Sequence, residues 1–275
     1  MESEVEAHQP LLGKVAVVVG ASRGIGAAVA RAFAHAGASV ALAARDGEAL
    51  AALAGELNNS SDNRNQTAIA VPTDVTDVEA LERLVERVPE VNGRLDIACN
   101  NAGSSHPPTP LADMTVEQLD AAYALNQRGV FVAMKHEIPA MVASGGGAVL
   151  NMSSTAGVEA VGGLAAYVST KFGVEGLTRV AALDYAALGV RVNAIAPGPI
   201  LTDHLRWAGP AAQQVVANAV PMRRIGQPDE VAAAAVWLCS DAASFVTGAT
   251  LQIDGGRLAG EAPFSWNRAE QLADR

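Results

Sequence analysis

Apolar residues follow two alternating rhythms along most of this chain. Short unbroken runs rich in Val, Ala and Ile, bounded by Gly or Pro, alternate with longer stretches whose apolar residues recur every three or four positions. The first rhythm predicts strands buried on both faces, and the second predicts helices packed on them. Strands are expected in Lys14–Gly20 (KVAVVVG), Ala38–Ala44, Thr67–Val75, Leu95–Gly103, Ala148–Met152, Val190–Ile195 and the segment ATLQIDGG. Helices are expected in AAVARAFAHAG, where Gly37 serves as a C-cap, in residues 47–57, 78–88 and 115–143, around Tyr167, and in 228–239 with Pro228 in its first turn. No repeat or low-complexity linker interrupts the alternation. The simplest architecture is therefore one doubly wound α/β domain over residues 13–256, a seven-stranded parallel sheet with helices on both faces. Residues 1–12 read as a frayed leader, 202–222 as a substrate loop with little regular order, and 257–275 as a tail with a short helix at its end.

Composition narrows the partners. Half of the 275 residues are hydrophobic but only 4% are aromatic, so the core must be built from Ala, Val, Leu and Ile. A net charge of −10 and a pI near 4.9 argue against a nucleic-acid partner, which needs a basic face. Cys99 and Cys239 stand far apart without CxxC spacing or companion histidines, so neither a metal site nor a disulfide framework is expected. The start, MESEVEAHQP, is acidic where a signal peptide would be basic, and no run of about 18 apolar residues could span a bilayer. A cytoplasmic protein with no membrane partner is the expectation.

The first strand runs directly into Gly20-Ala21-Ser22-Arg23-Gly24-Ile25-Gly26 and then into a helix. Glycines between a buried strand and a helix start let backbone N–H groups approach a pyrophosphate at the positive end of the helix dipole. The GxxxGxG spacing differs from GxGxxG, but the strand–turn–helix setting is that of a dinucleotide site. The second strand ends at Ala44, followed by Arg45. An acidic residue there would hold ribose hydroxyls, whereas arginine accommodates a 2′-phosphate. With Arg23 as a second cation, NADP(H) is favoured, and NAD(H) is the alternative. Asp46 either caps the next helix or repels the phosphate. Asp74 ends the third strand and could accept a bond from an adenine amino group.

The segment Ser153–Lys171 carries candidate chemistry. Tyr167 and Lys171 lie four apart, one turn along one helical face. A cation there would favour the phenolate, and a tyrosine drawn toward neutrality can act as general acid or base for a C–O–H group. Ser153 and Ser154 follow the fifth strand at its carboxyl end, the edge where open α/β sheets bind ligands. Asn126 sits in an apolar helical stretch and needs a partner if buried. His106 reads as exposed or pocket-lining rather than catalytic.

Together these pieces resemble the short-chain dehydrogenase/reductase family from about Lys14 to Gly256. The resemblance rests on Gly20–Gly26, Asp74-Val75, Asn100-Asn101-Ala102-Gly103, Asn126, Ser154 thirteen residues before Tyr167, Tyr167-Val168-Ser169-Thr170-Lys171, and Pro197-Gly198 with Thr202. Val19 departs from the threonine usual before the first glycine. The family implies a Rossmann fold with strand order 3-2-1-4-5-6-7. It further implies that Tyr167 exchanges a proton with the substrate oxygen, that Lys171 holds the nicotinamide ribose, that Ser154 bonds the substrate oxygen, and that Asn126 anchors a water relay to Lys171. The cofactor would lie along Gly20, Ser22, Arg23, Gly24, Ile25, Gly26, Arg45, Asp74, Val75, Asn101, Ala102 and Gly103, and would also meet Tyr167 and Lys171. Pro197, Gly198, Ile200 and Thr202 would flank its nicotinamide.

A small-molecule carbonyl or alcohol would be the substrate, within walls from Ser104–Pro108, Thr155–Gly163, Pro199 and 202–222. Assembly would be a homotetramer or homodimer through the helices at 115–143 and 164–187. Reduction of a ketone by NADPH is the favoured reading. An NAD-dependent alcohol or sugar dehydrogenase working oxidatively, and a non-catalytic NADP(H)-binding sensor, are the alternatives.

Overall fold

The structure, a computed structural model, describes residues 9–60 and 66–260. Seven strands form the sheet: β1 (Val15–Val19), β2 (Ser39–Ala44), β3 (Ala68–Pro72), β4 (Ile97–Asn100), β5 (Gly147–Met152), β6 (Val190–Pro197) and β7 (Thr250–Ile253). All pairings are parallel, in the order β3-β2-β1-β4-β5-β6-β7. The helices that position the site are α1 (Gly24–His35), α2 (Gly47–Asn58), α3 (Val78–Arg87), α4 (Val116–Tyr123), α5 (Gly129–Ala143), α6 (Ala165–Tyr185), α7 (Asp203–Trp207), α8 (Gly209–Asn218) and α9 (Pro228–Cys239).

Strand β1 explains why the sheet needs cover on both faces. Ala16 and Val18 join a core with Phe33 of α1, Leu50 of α2 and Val231 of α9, whereas Val15, Val17 and Val19 join a second core with Leu84 of α3, Met141 of α5 and Val174 of α6. Alternate side chains of one strand thus feed two apolar layers, which is why the sequence shows a continuous apolar run rather than alternation. The register then sets the ligand edge. Val19 pairs with Ala43 and Asn100, Asn100 pairs with Asn151, and Met152 pairs with Ile195, so the carboxyl ends of five strands come level.

Three expectations need adjustment. The helix expected over 115–143 is interrupted by a π turn at Ala124–Arg128, centred on Asn126. The segment 202–222 is not irregular: it folds into α7 and α8, with Pro210 at the start of α8, where its missing N–H costs nothing. The chain also joins the core before residue 13, because Leu11 is fully buried and its N–H donates to the Ala36 carbonyl at 2.8 Å. The helix expected at the end of the tail lies outside the described residues.

Candidate active site

Helix α1 begins without a side-chain cap, as α6 and α8 also do. Helices α2, α3 and α4 are each capped by a side chain, from Asp46, Asp77 and Thr115. Helix α1 has no side-chain cap at Arg23 and no acidic residue in its first turn. Its first N–H groups lack intrahelical acceptors, and nothing negative of its own occupies the positive end of the dipole. The glycines are needed for packing here: a Cβ on Gly26 would overlap the Gly20 carbonyl, and Gly20 itself has φ +86 with the Ala102 backbone close by. Asn101 closes the arrangement by donating its side-chain N–H to the Gly20 carbonyl at 3.1 Å. Thr202 packs against Gly24, where an added Cβ would come 3.2 Å from its methyl. Residues expected around the two ends of a dinucleotide therefore lie side by side, and the uncapped start of α1 fits its pyrophosphate.

At the end of β2 the two acidic readings separate. Asp46 accepts the Ala49 N–H at 3.0 Å as the N-cap of α2, so its carboxylate is engaged in the helix. Arg45 and Arg23 are exposed beside the crevice. Asp74 accepts both the N–H and the hydroxyl of Thr76, and these bonds, with the field of Arg45, hold its carboxyl below the usual range. Val75 is buried against Gly129.

The catalytic candidates converge on the carboxyl ends of β4 and β5. Lys171 is 3% exposed and donates to the Met152 carbonyl at 2.7 Å, which fixes its ammonium beneath the Ser153–Ser154 turn. It lies 5.7 Å from the centroid of the Tyr167 ring. Burial draws the Lys171 pKa down to about 8, partly opposed by the charge of Glu175. Burial also pushes the Tyr167 phenol above its ordinary range, and the Ser154 side chain opposes that shift by hydrogen bonding. The expectation of a tyrosine lowered toward neutrality is thus reversed: loss of hydration outweighs the Ser154 hydrogen bond. Between the serines, Ser154 accepts the Ala156 N–H at 3.1 Å and acts on the phenol. Ser153 is buried against Gly157, and its hydroxyl has no partner among the described residues.

Asn126 is fully buried, and its partner is the loop after β4. Its amide oxygen accepts the Ser104 N–H at 2.9 Å and its amide nitrogen donates to the Ser104 carbonyl at 3.1 Å. The side chain therefore clamps the Asn-Asn-Ala-Gly loop rather than reaching Lys171 directly. Gly103 fills the gap between them: a Cβ there would lie 2.9 Å from Asn126 Oδ1 and 3.4 Å from Lys171 Nζ. The π turn places an irregular backbone segment at this point, as π turns often do at functional sites.

Substrate walls also meet. The Thr109 N–H donates to the Gly163 carbonyl at 2.9 Å, joining the loop after β4 to the loop before α6. His106 turns its Nδ1 onto the Pro107 carbonyl at 2.8 Å within that wall. Pro197 ends β6, Gly198 packs against Asp254, and Ile200 bridges to Gly226. A cavity of about 580 Å³ lies elsewhere, at the amino edge of the sheet among Lys14, Arg94, Arg191 and Phe245, and holds none of these groups.

Sequence reasoning missed the Met152 carbonyl as the seat of Lys171, and it missed Glu175. The second carried a signal, since Glu175 follows Lys171 by one further helical turn on the face that holds Tyr167.

A family model described as enoyl-(acyl carrier protein) reductase matches residues 20–257. The chain belongs to the short-chain dehydrogenase/reductase family. It is an oxidoreductase of that family. It is 44% identical over 250 residues to an A-factor type gamma-butyrolactone 1'-reductase (1S-forming) of Streptomyces virginiae, covering 90% of this chain and 96% of the relative. It is 38% identical over 257 residues to D-threitol dehydrogenase of Mycolicibacterium smegmatis, covering 93% and 96%. A crystal structure of a Sinorhizobium meliloti protein assigned to the short-chain alcohol dehydrogenases superposes with a TM-score of 0.85 at 36% identity, covering 91% of this chain and 98% of that one. Relatives of this kind act on secondary alcohols and ketones, and the family uses NAD(P)(H). No helix among the described residues is long and apolar enough to cross a membrane.

Proposed function

We propose that the protein is a cytoplasmic NADPH-dependent ketone reductase that converts a cyclic, 3-oxoacyl or similar medium-sized ketone to a secondary alcohol. The observation that carries the reading is geometric: Lys171 is fixed on the Met152 carbonyl at 2.7 Å and 5.7 Å from the centroid of the Tyr167 ring, beside Ser154, and burial that raises the phenol pKa suits Tyr167 to donate a proton. A neutral phenol is the proton donor that carbonyl reduction requires. When bound, the nicotinamide supplies the hydride. Ser154 and Tyr167 hydrogen-bond the carbonyl oxygen as negative charge develops on it, and Tyr167 gives up its proton there. Lys171 stabilises the phenolate left behind, and Asn126, held on the Ser104 backbone, anchors a water relay that returns a proton to Lys171.

Preference for NADP(H) rests on Arg45 and Arg23 beside the crevice, with Asp46 occupied as a cap rather than presented to the ribose. The gamma-butyrolactone reductase relative supports a ring-bearing ketone as substrate. The D-threitol dehydrogenase relative favours a second reading, an NAD-dependent oxidation of a polyol. One assay separates them: consumption of NADPH and of NADH against a panel of cyclic and 3-oxoacyl ketones, beside NAD reduction with polyols. NADPH-specific turnover of a ketone supports the first reading, and NAD-specific oxidation overturns it.

Assembly belongs to the same proposal. Val116, Leu119 and Tyr123 of α4, Phe131 of α5, and Phe172, Val180 and Leu183 of α6 are exposed large apolar residues on the helices expected to pair two copies. We assign that face to a homodimer contact, with the tetramer built from two such dimers. Light scattering on the purified protein and on Phe131→Glu/Leu183→Glu reads it directly.

A further inference from the structure

The face of α6 that carries Tyr167 and Lys171 continues for another two turns, through Glu175 and Arg179. Glu175 is as buried as Lys171, each 3% exposed. Its Oε2 accepts a short hydrogen bond from the Thr250 hydroxyl of β7 and lies 3.8 Å from the guanidinium of Arg179, which is largely in solvent. Its Oε1 has no protein hydrogen-bond partner among the described residues. A buried carboxylate is costly unless it interacts with a charge, and a charge in a poorly hydrated interior acts more strongly than on the surface. The neighbouring buried charge is Lys171, one helical turn away.

We propose that Glu175 is a positioning residue for proton transfer: anchored to β7 by Thr250, its carboxylate is the buried counter-charge that keeps the Lys171 ammonium protonated at the Met152 carbonyl. Glu175 touches neither substrate nor cofactor, and it acts through Lys171. Among the described residues the charged groups coupled to it are Lys171 and Arg179, both from α6, while β7 presents the uncharged Thr250. The same bond ties the catalytic helix to the strand beside β6, whose carboxyl end carries Pro197 and Gly198. This inference rests on the assignment of Tyr167 and Lys171 to the reaction.

The test uses two variants of opposite sign. Glu175→Gln keeps the shape and removes the charge, so the midpoint at which Lys171 loses its proton falls by at least about half a pH unit. Arg179→Gln removes an opposing cation at the surface, leaves Glu175 less neutralised, and moves that midpoint upward by about 0.3 unit. The readout is NMR titration of 13Cε-labelled lysine in the intact protein, where Lys14→Arg and Lys135→Arg assign the other two signals. The alkaline limb of the kcat/KM profile should follow the same shifts, and Glu175→Asp should restore the limb. If Glu175→Gln does not fold, Arg179→Gln decides alone. A Lys171 midpoint unmoved in the folded variants, or a loss of activity equal at every pH, overturns the proposal. Because the titration needs no turnover, it is independent of Tyr167→Phe, whose unchanged activity would instead overturn the catalytic reading.

Discussion

Asn100 of β4 donates its side-chain N–H to Glu137 of α5 at 2.9 Å, within a core where Glu137 is fully buried. The same amide reaches Asn151 at 3.1 Å, and Asn151 donates in turn to Thr178 at 3.0 Å, so four polar side chains cross the second apolar layer beneath the catalytic edge. Burial raises the Glu137 pKa to about 7 from 4.5. Glu137 Oε1 and Asn100 Oδ1 are both acceptors without a hydrogen-bond partner among the described residues.

That arrangement makes stability depend on pH in a stated direction. The folded pKa lies above the unfolded one, so the contribution is complete below about pH 4.5 and is lost as pH rises to about 7. The loss amounts to roughly 3 kcal/mol as an upper figure. Glu137→Gln presents an N–H permanently and carries no charge. Thermal melts should show the variant more stable than the parent at pH 8.5 by about 1–3 kcal/mol and nearly equal at pH 5. A difference that does not change with pH would show that Glu137 is not the group responsible.

Tyr167→Phe removes the proton donor while keeping the ring beside Lys171. Turnover of any ketone substrate should fall by about 10²–10⁴-fold, the range attributed to a positioned general acid. NADPH affinity, read by quenching of protein fluorescence, should change less than about threefold, since the cradle at α1 is untouched. Equal losses in turnover and cofactor binding would mean that the variant disturbed the crevice instead.

Gly103→Ala tests the close approach between the loop and the catalytic lysine. The new methyl would press on Asn126 Oδ1 and come within van der Waals reach of Lys171 Nζ. The clamp on Ser104 must then give way, and a displacement of about 1 Å near the chemistry can cost about 10²-fold. We expect kcat to drop by about 10–100-fold with a cooperative melt retained. Full activity would show the loop is more compliant than its two hydrogen bonds to Asn126 imply.

Most of the fold was readable because each strand and helix announces itself locally. The apolar run of β1, the glycines after it and the position of Tyr167 four residues before Lys171 are all short-range patterns, and their shared edge follows from parallel connection rules. What was not readable depends on contacts far apart in the chain. Gly209 and Pro210 read as loop chemistry although they form the first turn of α8, one residue after α7 ends. The partner of Asn126 is a backbone 22 residues away, and the partner of Glu175 is a hydroxyl 75 residues away. The rise of the Tyr167 pKa was missed for a related reason: spacing places a cation one turn away but does not reveal the burial that raises the phenol.

Cofactor selectivity separates Arg45 from Asp46, adjacent residues that the structure gives different work. Asp46 caps α2 through Ala49, so Asp46→Ala should cost about 1 kcal/mol of stability and leave the preference between NADPH and NADH nearly unchanged. Arg45 is exposed and acts on Asp74 only through its field. Its guanidinium is available to a 2′-phosphate, and a charge-assisted contact of about 1.5–3 kcal/mol corresponds to about 10–100-fold in affinity. Arg45→Ala should therefore raise the KM for NADPH by about that factor, leave the KM for NADH within about twofold, and lose most of its effect at high salt. Arg23→Ala should act in the same sense, additively if each arginine meets the phosphate independently. Initial rates with both cofactors at low and high ionic strength measure all of this. An NADH preference already present in the parent and untouched by either substitution would assign the pocket to NAD.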